Sequence, residues 1–277
     1  MAVKSEASEW SGDLGRSWRD HLDGLEAMFS PVNEEISSAL ELTGDERIAD
    51  IGCGGGGFSR HLAQKLGTEG HITGFDISPD LVAAAADFPS PLPVDFIWAD
   101  VAHHAVTAPK FDRLTSRFGV MFFPEERAAF GNLASWLKPG GRFAFGVWAD
   151  FDANPWHSVI RNVVGDIIDI PTPKPGQAGP ARYAHIDDFH ALLTSVGMTN
   201  LSTRIWNGAL KLGGGRSAQD AAEFGLSAFW AKDLPVSSAE RNAALSALTT
   251  KLRPHEVGGE VSMSARVHIV SGEYQGD

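Results

Sequence analysis

From residue 47 onward, short apolar runs rich in β-branched and aromatic residues alternate with segments whose apolar positions recur about every 3.6 residues. The runs RIADIG (47–52), HITGFDI (71–77), VDFIWAD (94–100), FDRLTSRF (111–118) and RFAFGVW (142–148) read as strands. Between them FSRHLAQKL (58–66), LVAAAADF (81–88) and EERAAFGNLASWL (125–137) read as helices, the last stopped by LKPGG (137–141). Strand alternating with helix predicts βαβ units, a mainly parallel sheet and a doubly wound α/β fold. Before this core, Leu22, Leu25, Met28 and Phe29 lie at helical spacing ahead of Pro31, so residues 1–46 predict a helical cap. Past Trp148 the alternation lapses. The stretch 169–182 holds four prolines and two glycines and predicts a mobile surface loop. Helical segments follow at 186–196, 217–231 and 238–252, with strands at 198–212 and 263–271.

Composition narrows the partners rather than the fold. A chain of 277 residues fits one large α/β unit with elaborations. Its apolar runs stop well short of the roughly 18–20 residues that span a bilayer, so no membrane span is expected. The N-terminus lacks an apolar export signal and carries Glu6 and Glu9, which makes the cytoplasm the expected compartment. Cys53 is the single cysteine, which excludes an internal disulfide and a thiolate zinc cluster, and no metal is expected. A formal charge of −12 disfavours a nucleic-acid partner and fits a small neutral or cationic molecule better.

The candidate chemistry starts at Asp50-Ile51-Gly52-Cys53-Gly54-Gly55-Gly56-Gly57, which follows a strand and opens a helix. Bare glycine backbone lets a ligand approach closely, and free N–H groups at a helix start attract a negative group. Gly52, Gly54 and Gly57 also satisfy G-x-G-x-x-G, so the loop alone fits S-adenosylmethionine (SAM), a nicotinamide or flavin dinucleotide, or a purely structural turn. Asp76, ending the second strand, is placed to accept two hydrogen bonds from ribose hydroxyls; a turn-capping aspartate is the alternative. Asp100, closing the third strand, is placed to accept an adenine amino hydrogen beside the Val101 amide. That position favours a ligand ending at adenosine, namely SAM.

The segments ADIGCGGGGF, GFDIS, WADV, FDRLTSRFGVMFF and WLKPGGRFAFGVW, in that order over about residues 45–150, resemble class I SAM-dependent methyltransferases of the methyltransferase-domain type. RFGVMFF, the NPW at Asn154–Trp156 and the spacing of Trp10 and Trp18 are similar to a bacterial small-molecule subgroup. The resemblance implies a Rossmann-like, mainly parallel seven-stranded sheet with an antiparallel last strand. Residues 47–150 would form the SAM-binding core, and 151–277 the rest of the same domain with substrate-covering helical insertions. It also implies that Asp50, Gly52, Cys53 and Gly54 hold the methionine end, Asp76 the ribose, Ile77 the adenine face, and Asp100 and Val101 the adenine edge. Ser116 and Arg117 would face the sulfonium. The four consecutive glycines depart from the family pattern and are expected to loosen the loop.

Methyl transfer from a sulfonium needs chiefly alignment and exclusion of water, so a base is optional. Where the acceptor is a hydroxyl or an ammonium, His157 is the candidate base, ahead of His103 and His104. Trp18, His21, Phe118, Met121, Phe122, Trp148 and Trp156 are the candidate acceptor pocket. Of Phe118, Met121, Phe122, Phe123, Trp148, Trp156, Trp206 and Trp230, two or three side chains are expected to line it and the rest to be core. Trp10, Trp18 and His21 are placed to close as a lid or to pack as a static cap. The expected product is S-adenosylhomocysteine. A nicotinamide-dependent oxidoreductase and a catalytically silent SAM-binding module are the competing functions, and neither the acceptor's identity nor an oligomeric state is encoded in these patterns.

Overall fold

The computed structural model describes residues 9–106, 110–167, 174, 176–230 and 237–276. Five parallel strands form its centre: β1 (Arg47–Ile51), β2 (His71–Asp76), β3 (Val94–Trp98), β4 (Phe111–Arg117) and β5 (Leu137–Trp148). Two long strands complete the sheet, β8 (Glu260–Tyr274) antiparallel to β5 and β6 (Met198–Lys211) antiparallel to β8 in turn, giving the order β3-β2-β1-β4-β5-β8-β6. The seven expected strands are therefore present, and an eighth of two residues, β7 (Glu256–Val257), pairs only with β8. Chain order reverses between β1 and β4, and that switch point is where open α/β sheets bind ligands.

The helices lie close to where apolar periodicity puts them. They are α4 (Gly57–Ala63), α5 (Pro79–Asp87), α6 (Glu126–Trp136), α8 (Ile186–Ser195), α9 (Ala218–Phe229) and α10 (Ser238–Leu252). Ser78 caps α5, its Oγ accepting the Leu81 N–H, and Ser237 with Glu240 forms a reciprocal capping box on α10. One helix escapes the sequence reading, α7 (Pro155–Gly165), although Pro155 sits at its first turn and Trp156, Ile160, Val163 and Val164 form a buried stripe. Its valine-rich composition weakens helix propensity, and tertiary burial overrides that.

Three short helices form the N-terminal cap: α1 (Asp13–Arg19), α2 (Leu22–Phe29) and α3 (Asn33–Ala39). The cap is docked firmly. A Cβ on Gly15 would collide with the Ser78 hydroxyl, and Arg19 reaches Asp80 on α5 at 3.0 Å. Of the proline-rich stretch 169–182, residues 169–173 and 175 lie outside the described residues. Its far end is tied down rather than mobile: the Gly179 N–H donates to the Met121 carbonyl and Arg182 pairs with Glu126 at 2.9 Å. Among the described residues no helix is long and apolar enough to cross a membrane.

Candidate functional site

The C-terminal ends of β1, β2, β3 and β4 open into one cleft roofed by α1 and α2. Its floor is the glycine loop, fixed at both ends by backbone bonds. The Gly52 and Cys53 N–H groups donate to the Phe75 carbonyl at the end of β2, at 2.8 and 3.1 Å. Ser116 Oγ donates to the Ile51 carbonyl at 2.7 Å and accepts from the Gly119 and Val120 N–H groups. Gly52 adopts φ +66°, and a Cβ there would lie 2.8 Å from the Gly119 Cα, so the β1 and β4 loops meet at glycine distance. At Gly54, also with positive φ, a Cβ would meet nothing within 4 Å: the space above this residue is the open cleft.

The extra glycines have a packing reason. A Cβ on Gly55 would lie 2.7 Å from Leu22, one on Gly56 would strike the Phe96 ring, and one on Gly57 would strike the Glu26 carboxylate. Bare backbone here seats the cap helix α2 on the loop, so these glycines tighten the site rather than loosen it. Glu26 in turn pairs with Arg117 at the end of β4, Nη2 to Oε2 2.6 Å, while Arg117 Nη1 donates to Asn33 Oδ1 at 2.9 Å. Both partners of this ion pair line the cleft. No spacing in the sequence marks it, because 91 positions separate the two residues.

Asp76 and Asp100 line the same cleft from adjacent strands. Asp76 is buried and preorganised: Oδ2 accepts the Gly54 N–H at 2.8 Å and Oδ1 the Ser78 N–H at 2.9 Å. Each oxygen keeps a lone pair for a ligand hydroxyl. Burial raises its pKa, and the backbone N–H groups of Ser78, Gly54 and Ile77 pull the other way. Asp100 is more exposed, accepting the Ala102 N–H at 3.0 Å and facing His103 Nδ1 at 2.9 Å. His103 therefore serves Asp100, and His104 packs on Phe75 and Trp136. Cys53, Ile77 and Val101 complete this end of the cleft.

Two of the residues expected around the cofactor do not line the cleft. Ser116 is fully buried as the brace just described. Asp50 points into the protein, accepts from Ser59 Oγ at 2.6 Å and leaves Oδ1 without a partner. Desolvation pushes its pKa up to about 7, with the Ser59 hydrogen bond and Arg117 opposing.

Beyond the cleft lies a second cavity of about 200 Å³, far larger than the ~10–15 Å³ that one water requires. The two share a wall of Trp10, Trp18, Phe29, Phe118 and Phe122. Trp148, Trp156 and His157 line the second chamber, so the structure gathers them beside the cleft. Phe118 holds φ +71°, an unusual conformation for a bulky residue, and stacks on Trp148 with centroids 3.9 Å apart. His157 lies face to face with Phe151 at 4.5 Å. Burial, with Arg161 nearby, pushes its pKa down to about 4, and its Nδ1 has no partner among the described residues.

His21 and Met121 are not in either wall. The His21 ring bonds to the Ser17 carbonyl at 2.7 Å and meets Phe224 edge-on, while Met121 is core, its sulfur accepting the Trp148 N–H. More of the candidate aromatics line the second chamber than the two or three expected: Phe118, Phe122, Trp148, Trp156 and Trp230 do, Phe123 lines only the cleft, and Trp206, on the edge strand β6, lines neither. Sequence reasoning treated them as core because strand and helix periodicity cannot show a chamber formed between elements. Phe29, Phe151, Arg161 and Phe229 are further wall residues that it missed.

Residues 48–141 match the family model described as a methyltransferase domain. The chain is 31% identical over 136 residues to an aklanonic acid methyltransferase from Streptomyces sp. (strain C5), covering 48% of this chain and 61% of that protein. It is 34% identical over 123 residues to the biotin biosynthesis bifunctional protein of Bordetella avium, covering 44% of this chain and 26% of that one. The chain thus spans less than two thirds of either relative. In fold it is similar to the YcgJ protein from Bacillus subtilis, with TM-score 0.60 and 14% identity over 90% of this chain and all of that one.

Proposed function

We propose, from the match of residues 48–141 to a methyltransferase-domain model and the likeness to methyltransferases, that the chain is a class I SAM-dependent methyltransferase that transfers a methyl group from SAM to a small-molecule acceptor held in the aromatic chamber. The observation that carries this reading is the shared wall: a glycine-floored cleft with two strand-end carboxylates opens beside a separate apolar cavity. The open space above Gly54, the spare lone pairs of Asp76 and the accessible Asp100 fit an adenosyl group. Asp76 would hold the ribose and Asp100 with Val101 the adenine edge. The methionine end would lie over Gly52–Gly55 near the Arg117–Glu26 pair. Bound there, SAM supplies an already activated methyl group on a sulfonium.

The protein's own part is positioning. Alignment alone contributes on the order of 7–11 kcal/mol to such reactions. Trp10, Trp18, Leu22 and Leu25 roof the cleft and keep water out, while Phe118, held by Trp148, fixes the boundary between the two chambers. His157 is the one histidine in the acceptor wall, and its low pKa keeps it unprotonated, able to take a proton from the acceptor. The relatives' names point to different substrates, aklanonic acid and a biotin pathway, so the acceptor is read from the chamber rather than from them. The test is transfer of label from methyl-labelled SAM in a cell extract. Label is expected in the low-molecular-mass fraction; label confined to protein or nucleic acid contradicts the reading.

A further inference from the structure

We propose that the acceptor is an uncharged planar ring bearing a hydroxyl group, seated among the chamber's indoles with that hydroxyl against His157. The inference rests on the methyl-transfer reading above and adds the chemical class of the substrate.

Shape argues first. Ten of the fourteen lining residues are Phe or Trp, and the walls present flat faces, as in the Phe118–Trp148 stack and the Phe151–His157 stack with planes 1° apart. Flat walls favour a flat guest by offset stacking and edge-to-face contact. Charge decides next. Aromatic cages also hold ammonium groups, but among the described residues this lining contains no carboxylate, and its ionisable members there are His157 and Arg161. The Arg161 guanidinium already lies 5.7 Å from the Trp230 ring. A cationic acceptor would find no counter-ion among the described lining residues. An anion would have to be desolvated against ring faces that are themselves electron-rich. Of the neutral and cationic classes that the net charge leaves open, the chamber selects the neutral one.

Unsatisfied polar atoms argue last. Trp10 Nε1, Trp156 Nε1 and His157 Nδ1 are buried without hydrogen-bond partners among the described residues, and all three residues belong to this wall. Buried polar atoms are normally paired. Two N–H donors and one imidazole acceptor are the complement of an oxygenated ring. In the transfer, the acceptor oxygen forms its bond to the methyl carbon as the carbon–sulfur bond breaks and the sulfur keeps the electron pair. The hydroxyl proton passes to His157 Nδ1 and from there to solvent. An oxygen gaining a methyl group becomes strongly acidic, so a weakly basic imidazole suffices.

Calorimetric titration with the cofactor site filled by S-adenosylhomocysteine tests this with four probes on one fused two-ring skeleton: naphthol, naphthoate, naphthyl-trimethylammonium and the saturated, non-planar decahydronaphthol. Naphthol is expected to bind at least about tenfold more tightly than each of the others, a margin typical of aromatic pairing plus one satisfied polar contact. Trp156→Ala should weaken naphthol at least about tenfold and leave S-adenosylhomocysteine within about twofold; Trp230→Leu, at a less buried position, gives the same readout should Trp156→Ala not fold. Tightest binding of the cation or the anion, equal binding of the saturated ring, or no binding of any probe overturns the inference. Failure of S-adenosylhomocysteine itself to bind would instead overturn the methyl-transfer reading.

Discussion

At the scale of single residues, two buried groups make the site's electrostatics measurable. Asp50 has a folded-state pKa near 7 and lies close enough to Arg117, Glu26 and Asp76 to feel their charges. A cationic ligand in the neighbouring cleft stabilises its ionised form and lowers that pKa, so SAM binding at pH 7 is expected to release a fraction of a proton. Calorimetry in buffers of different ionisation enthalpy reads this directly. Asp50→Asn should remove most of the release, and S-adenosylhomocysteine, lacking the sulfonium, should show less of it; a release of zero with wild-type protein contradicts the account. His157 acts on stability with the opposite logic. Its pKa falls from 6.5 to about 4 on folding, so below pH 6.5 the unfolded chain takes up a proton that the folded one refuses. Its contribution is complete above pH 6.5, is lost as pH falls toward 4, and amounts to at most about 3 kcal/mol. In denaturant titrations from pH 7.5 to 4, His157→Gln should gain stability relative to wild type as pH falls, a difference that separates this group from His61 and His268, which shift in the same direction, and from Asp50 and Asp76, whose raised pKa values act oppositely. His157→Gln should also lower the turnover number by about 10²- to 10⁴-fold where a proton must leave the acceptor.

At the scale of elements, the cap helix α2 and the glycine loop form one unit, and substitutions in the loop should separate accordingly. Gly57→Ala drives a methyl group into the Glu26 carboxylate, which should displace α2, cost about 1–3 kcal/mol and weaken SAM binding. Gly54→Ala has open space above it and only the left-handed backbone to resist it, a cost of roughly 1–2 kcal/mol with the cap left in place. Hydrogen exchange over residues 9–29 distinguishes them: faster exchange is expected for Gly57→Ala and for Glu26→Gln, not for Gly54→Ala. This division also marks what was legible in the sequence. The five parallel strands, the loop and the acids Asp76 and Asp100 show because each is written within a few consecutive residues as a period, a turn or a strand end. Helix α7 was obscured by its valine-rich composition. The Glu26–Arg117 pair, the packing role of Gly55–Gly57 and the chamber itself arise from contacts between distant elements, which no local pattern records. For the same reason His21 and Met121, correctly placed in helical or strand-end segments, turn away from the cavities.

At the scale of the whole molecule, the sheet order sets the function's geometry. Reversal between β1 and β4 opens the cleft, the antiparallel β8–β6 pair extends the sheet beyond β5, and α7 and α9 contribute the chamber's far wall. The cleft and the aromatic chamber thereby meet at five shared aromatic residues. The central claim is that the cleft bounded by Gly52–Gly55, Asp76 and Asp100 is built for one molecule of SAM. Titration calorimetry with SAM, with NAD and with the Asp76→Ala variant tests it most directly. One SAM per chain, no heat from NAD and at least about tenfold weaker SAM binding by Asp76→Ala are the predicted results; NAD binding without SAM binding, or unchanged SAM affinity in Asp76→Ala, would contradict it.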